Sequence, residues 1–131
     1  MARKVVMVGS TTFPIDAALG AQIVDIMREY PPDTAFLTRG SQGFDQFIMR
    51  VAPLIERRCF GYPSKGGADN WTRDIELVKD GDEVLAFLDP DTLDDPNTGT
   101  AHVVESALTQ KKPVRAYSVV DGALVWVGEN E

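Results

Sequence analysis

The chain has one cysteine, Cys59, and one histidine, His102, in 131 residues. A lone cysteine cannot close an internal disulfide, and a lone histidine leaves no cluster with metal-site spacing. Neither a disulfide scaffold nor zinc chemistry is expected, and no metal or other cofactor is implied. Long hydrophobic runs are also missing: nothing approaches the roughly 20 apolar residues that a membrane span needs. Met1-Ala2-Arg3-Lys4 leads at once into Val5-Val6-Met7-Val8, too short for the apolar region of a secretory signal and without a cleavage site. The expectation is a soluble, cytoplasmic protein with no membrane partner. Basic residues are scarce, 13 against 20 acidic, for a formal net charge of −7. Such a balance repels a polyanion unless the basic groups are gathered on one face, so nucleic acid is not an expected partner. The doublets Arg57-Arg58 and Lys111-Lys112 fall where helices should end, in keeping with the helix dipole.

What is present is the alternation of an α/β domain. A chain of this length can close a hydrophobic core as a single domain over 1–131. Apolar runs suited to buried strands occur at Val5 to Val8, Ala35 to Leu37, Arg58 to Phe60, Val84 to Leu88 and Val114 to Tyr117. Between them, Asp16 to Glu29 carries one apolar face and is stopped by Pro31-Pro32. Phe44 to Arg57 repeats the pattern, with Pro53 marking a kink. Asp69 or Asn70 can cap a helix through Trp71, Ile75, Leu77 and Val78 to Gly81, and Thr98 or Thr100 begins the last helix. This order predicts a three-layer, Rossmann-like, doubly wound and mostly parallel sheet. After Tyr117 the apolar stretches flanking Asp121-Gly122 predict a hairpin and an antiparallel edge strand through Trp126. Asp89 to Asn97, rich in Asp and bracketed by Pro90 and Pro96, reads as a flexible loop.

In an open α/β sheet, ligands bind beyond the carboxyl ends of the strands. Gly9-Ser10-Thr11-Thr12 follows the first strand as a small-residue turn. Thr38-Arg39-Gly40-Ser41-Gln42-Gly43-Phe44-Asp45 follows the second and enters a helix. Asn97-Thr98-Gly99-Thr100 precedes the last helix. Together these turns offer backbone and hydroxyl donors suited to phosphate on one edge. Each piece has a plain structural alternative: turn glycines, threonine caps, surface arginines at Arg39 and Arg73, and an Asp45 that stabilises its own helix start. His102 reads as a solvated helix residue and Cys59 as a small core side chain. Asp89, at a strand end, is placed to contact ribose; with Asp91, Asp94 and Asp95 it could instead hold a divalent ion or belong to a solvated loop.

VMVGSTTF, RGSQGFD, GGADNWTRDIELVKDGDEVLAF and NTGTAHVVESALTQKKPV, in this order and spacing, resemble the SLOG superfamily over nearly the whole chain. These are Rossmann-like domains related to the LOG phosphoribohydrolases, and the likeness is to the small stand-alone bacterial and phage members. The resemblance implies a site for nucleotides, NAD derivatives or ADP-ribose-like ligands. By position it carries over Gly9, Ser10, Gly40, Ser41, Gly43, Asp45, Arg73, Gly99 and Thr100, beside which Thr11 and Arg39 are also candidate ligand contacts. It also implies a departure. His102 and Val103 stand where LOG-type hydrolases keep acids, and Val103 stands where the similar nucleoside deoxyribosyltransferases keep their nucleophilic glutamate. Glu105, two residues on, is turned about 200° around the helix.

The leading expectation is therefore binding or sensing of a nucleotide-like small molecule of the AMP, NAD or ADP-ribose class, with phosphate neutralised by Arg39 or Arg73 and ribose met by Asp45 or Asp89. A second reading is an N-glycoside hydrolase or transferase acting on nucleosides or nucleoside monophosphates; it needs a carboxylate. Asp45, Asp89 or Asp74 would have to supply that carboxylate, with Arg73 as a further catalytic candidate. A third is an oligomeric interaction protein, a homodimer or higher assembly with a vestigial pocket, resting on Trp71 and Trp126.

Overall fold

The computed structural model describes residues 3–63, 68–92 and 98–130. Six strands form one sheet in the order β3-β2-β1-β4-β5-β6. In sequence these are β1 (Lys4–Gly9), β2 (Ala35–Thr38), β3 (Arg58–Gly61), β4 (Glu83–Phe87), β5 (Val114–Val120) and β6 (Ala123–Asn130). The helices α1 (Ala17–Arg28), α2 (Phe44–Leu54), α3 (Ala68–Asp80) and α4 (Gly99–Thr109) connect them. β1 to β5 pair in parallel, and only β5 with β6 runs antiparallel. This is the doubly wound, Rossmann-like architecture expected from the alternation.

β1 lies in the interior of the sheet, and its alternation sorts the two cores. Val5 and Met7 point to the face covered by α1 and α2, where they meet Ile23, Met27, Phe36, Phe44, Ile48 and Phe87. Val6 and Val8 point to the other face, where α3 and α4 contribute Leu77, Val78, Val103 and Ala107. A strand buried on both faces must be apolar throughout, which is why Val5-Val6-Met7-Val8 shows no polar alternation. The chain leaves β1 toward β2 and β3, then returns through α3 to lay β4 on the opposite side of β1. That reversal opens a crevice at the carboxyl ends of the strands.

Local signals explain most boundaries. Asp16 caps α1 by accepting from the Leu19 amide at 2.8 Å, and Thr98 caps α4 by accepting from the Ala101 amide at 3.1 Å. Asp121 and Gly122, both at positive φ, join β5 to β6 across a two-residue turn, the geometry that matches strand twist. Several boundaries differ from expectation. Pro53 is the penultimate residue of α2 and marks its end. α3 begins at Ala68, so Asn70 lies in its first turn and does not cap it. β6 runs past Trp126 to Asn130. Pro90–Thr92 forms a short 3₁₀ turn, while Asp94, Asp95 and Asn97 lie outside the described residues.

Lys112 donates to the carbonyls of Lys79 and Gly81 at the carboxyl end of α3, so it serves a neighbouring helix and not the end of α4 that it follows, where the doublet was expected to act. Cys59 is half-buried, and burial pushes its thiol up to about 11, so it is a neutral, poorly nucleophilic group at physiological pH. No helix among the described residues is long and apolar enough to cross a membrane.

Candidate functional site

A cavity of about 830 Å³ opens at the carboxyl edge of the sheet. Its lining comes from the turn after β1 (Ser10, Thr11, Thr12), the turn after β2 (Arg39, Gly40, Ser41) and the start of α4 (Thr98, Gly99, Thr100). Eight of the sequence candidates are therefore brought together: Ser10, Thr11, Arg39, Gly40, Ser41, Arg73, Gly99 and Thr100. Seven further lining residues, Thr12, Gln46, Met49, Gly61, Pro63, Asn70 and Thr98, were not singled out from the sequence as ligand contacts. Met49 and Gln46 sit on α2, where their spacing looks like an ordinary exposed helix face.

Gly9, Gly43 and Asp45 are absent from the lining, and the reasons are steric and electrostatic. A Cβ on Gly9 would lie 2.3 Å from Cγ of Phe44, a fully buried ring stacked on Phe87. Gly43, at φ 80°, passes so close to the first turn that a Cβ would meet the Thr11 carbonyl oxygen at 2.5 Å. Both glycines let the backbone of one turn approach another element, and neither is spent on a ligand.

Asp45 is fully buried and accepts four hydrogen bonds. Its Oδ1 takes the Gly9 amide at 3.1 Å and Arg39 Nη2 at 3.3 Å; its Oδ2 takes the Arg39 amide at 3.1 Å and Arg39 Nε at 2.9 Å. With both oxygens so engaged, it clamps β1 to the β2 turn and offers nothing to ribose. Arg39 is correspondingly not a surface residue: it is 4% exposed and donates further from Nη2 to the Gly9 carbonyl at 2.6 Å and to Thr100 Oγ1 at 3.3 Å. Its Nη1 remains without a hydrogen bond to any described residue, next to Gly99, whose Cβ would lie 3.0 Å away. Asp45 already neutralises Arg39, so this guanidinium supplies a directed donor to the cavity but no uncompensated charge.

Arg73 follows the same plan. Its Nε donates to Asp74 Oδ1 at 2.7 Å and its Nη1 to the Tyr62 carbonyl at 3.3 Å, which fixes the guanidinium on the cavity wall. The other oxygen of Asp74 meets His102 Nδ1 at 2.8 Å, and Trp71 packs on the imidazole with ring centroids 3.8 Å apart. His102 is thus a bonded, largely buried side chain, contrary to the solvated residue expected. Asp89 is buried too, accepting from the Asp91 amide at 2.9 Å and from the Thr12 hydroxyl, while its own amide donates to Ser10 Oγ at 3.1 Å. It ties the β4 end to the β1 turn and does not line the cavity.

The lining is weighted toward hydrogen-bond donors. Among the described residues the cavity is lined by two arginines, six hydroxyl side chains and two amides, with no carboxylate. The 11-residue helix α4 points its amino terminus at it, and the first-turn amides of a helix have no intrahelical partner. The chain matches no family model, no curated protein and no solved structure. The geometry therefore carries the functional reading. Val103 is fully buried in the core beneath α4, and Glu105 is exposed on that helix, so neither reaches the cavity. Among the described residues no three His, Cys, Asp or Glu side chains gather as a metal site.

Proposed function

We propose that the chain binds or senses a nucleotide or nucleotide-derived ligand of the AMP, NAD or ADP-ribose class at this cavity. The observation that carries the reading is the lining: two arginines and no described carboxylate, in a protein of net charge −7. Both guanidiniums are already paired, with Asp45 and Asp74, so what the cavity offers an anion is a set of directed N–H and O–H donors with no described carboxylate among its lining residues. Phosphate sits between the Gly99 and Thr100 amides, Arg39 Nη1 and the hydroxyls of Ser10, Thr11 and Ser41, an arrangement suited to anions at a helix start. The volume lies within the roughly 300–1,000 Å³ usual for small-ligand sites. The motifs that resemble the SLOG superfamily point the same way.

Cleavage of an N-glycosidic bond needs a carboxylate beside the sugar. Asp45 and Asp89 are held by other partners away from the cavity lining, and Asp74 is shared between Arg73 and His102, so binding is favoured over hydrolysis. Calorimetric titration with AMP, NAD and ADP-ribose tests the reading, with chromatography of the mixtures for released base. Saturable binding of at least one, without free base, is expected; no heat with any of them from a folded sample contradicts it.

A further inference from the structure

The cavity has a second end whose chemistry differs from the phosphate end. Beyond β3 it is walled by Met49, Gly61 and Pro63, with Gln46 and Arg73 beside them. Met49 comes from α2 on one face of the sheet and Arg73 from α3 on the other, so the end of β3 lies between a thioether and a guanidinium. Gly61 lets the Met49 side chain lie close against β3: a Cβ there would meet Met49 Cε at 3.1 Å and Sδ at 3.5 Å. Met49 is 39% exposed although it is a large apolar side chain, and no core residue covers it. The Arg73 plane is already held by Asp74 and the Tyr62 carbonyl, so little of its freedom remains to be lost.

Resting on the reading above, we infer that this end is a base-stacking subsite, in which a planar nitrogen heterocycle lies on the Met49 thioether that Gly61 seats against β3, with the Arg73 guanidinium on the facing wall. Thioether sulfur and guanidinium both attract the faces and edges of aromatic rings. Gln46 makes the ring a heterocycle and not a hydrocarbon. Its Nε2 donates to the Gly40 carbonyl at 3.2 Å, which leaves its carbonyl oxygen as an acceptor at the rim for a ring or amino N–H. The phosphate end is then common to all ligands of the class, and the Met49 end, whose thioether a side chain at Gly61 would displace, selects those that carry a base.

Calorimetry with AMP and with ribose 5-phosphate separates the two ends, using the full chain and the variants Gly61→Val and Met49→Ala. AMP is expected to bind at least tenfold more tightly than ribose 5-phosphate. Gly61→Val should remove most of that advantage and Met49→Ala severalfold of it, while both leave ribose 5-phosphate affinity unchanged. Equal affinity for the two ligands overturns the subsite and leaves the phosphate reading standing. Equal losses for both ligands in the variants overturn it as well. Binding of neither ligand by the folded wild-type chain overturns the phosphate reading and the subsite together. Circular dichroism of each variant excludes misfolding as the cause of a loss.

Discussion

The buried pair of Arg39 and Asp45 concentrates the site's dependence on single side chains. Removing one member of such a pair strands the other charge in a low-dielectric interior and costs about 3–5 kcal/mol. Asp45→Ala is therefore expected to lower unfolding stability by about that amount, measured by urea denaturation, because it also orphans the Gly9 and Arg39 amides. A loss below about 1 kcal/mol would mean that the clamp is not what holds the β1 and β2 turns together. The contrast with Asp89 is instructive. Both acids sit near strand ends and read as ribose contacts from sequence, yet both face inward to tie loops. Sequence position gives the level along a strand at which a carboxylate stands, and its partners decide whether it faces ligand or protein.

Among the elements, α4 joins cavity to core, because Gly99 and Thr100 at its start line the cavity while its inner face packs Val103 and Ala107 into the core. Its entry is fixed by the Thr98 hydroxyl on the Ala101 amide. Thr98→Ala is expected to cost about 1 kcal/mol, as loss of a helix cap does, seen as a lower midpoint in thermal unfolding; an unchanged midpoint would show that the cap is not needed. This element was legible in advance, since threonine caps and apolar spacing are local signals. So were the Asp121-Gly122 turn and the continuous apolar β1. The start of α3 was not, because Asp69 and Asn70 offer equally good caps and a local rule has no way to see that the helix begins before both. Met49 and Gln46 escaped for a related reason. On α2 they follow the pattern of an exposed face, and only the return of β3 beside that helix turns the face into a wall.

At the scale of the whole molecule, charge is the organising contrast. Among the described residues, Asp45 and Asp89 are consumed by internal partners, while Arg39, Arg73 and the start of α4 line the edge where the chain direction reverses. The doubly wound order could be read from alternation alone, and the three turns it placed at the carboxyl edge all contribute to the cavity lining. The glycines were read less well: Gly9 and Gly43 serve close packing and positive φ, demands that leave the same letter in a sequence as a phosphate turn does. The measurement that tests the account most directly is a crystal structure of the chain grown with AMP. The phosphate is predicted within hydrogen-bond distance of the Gly99 and Thr100 amides and of Arg39 Nη1. Well-ordered AMP seated elsewhere, with that edge holding only water, would contradict the account.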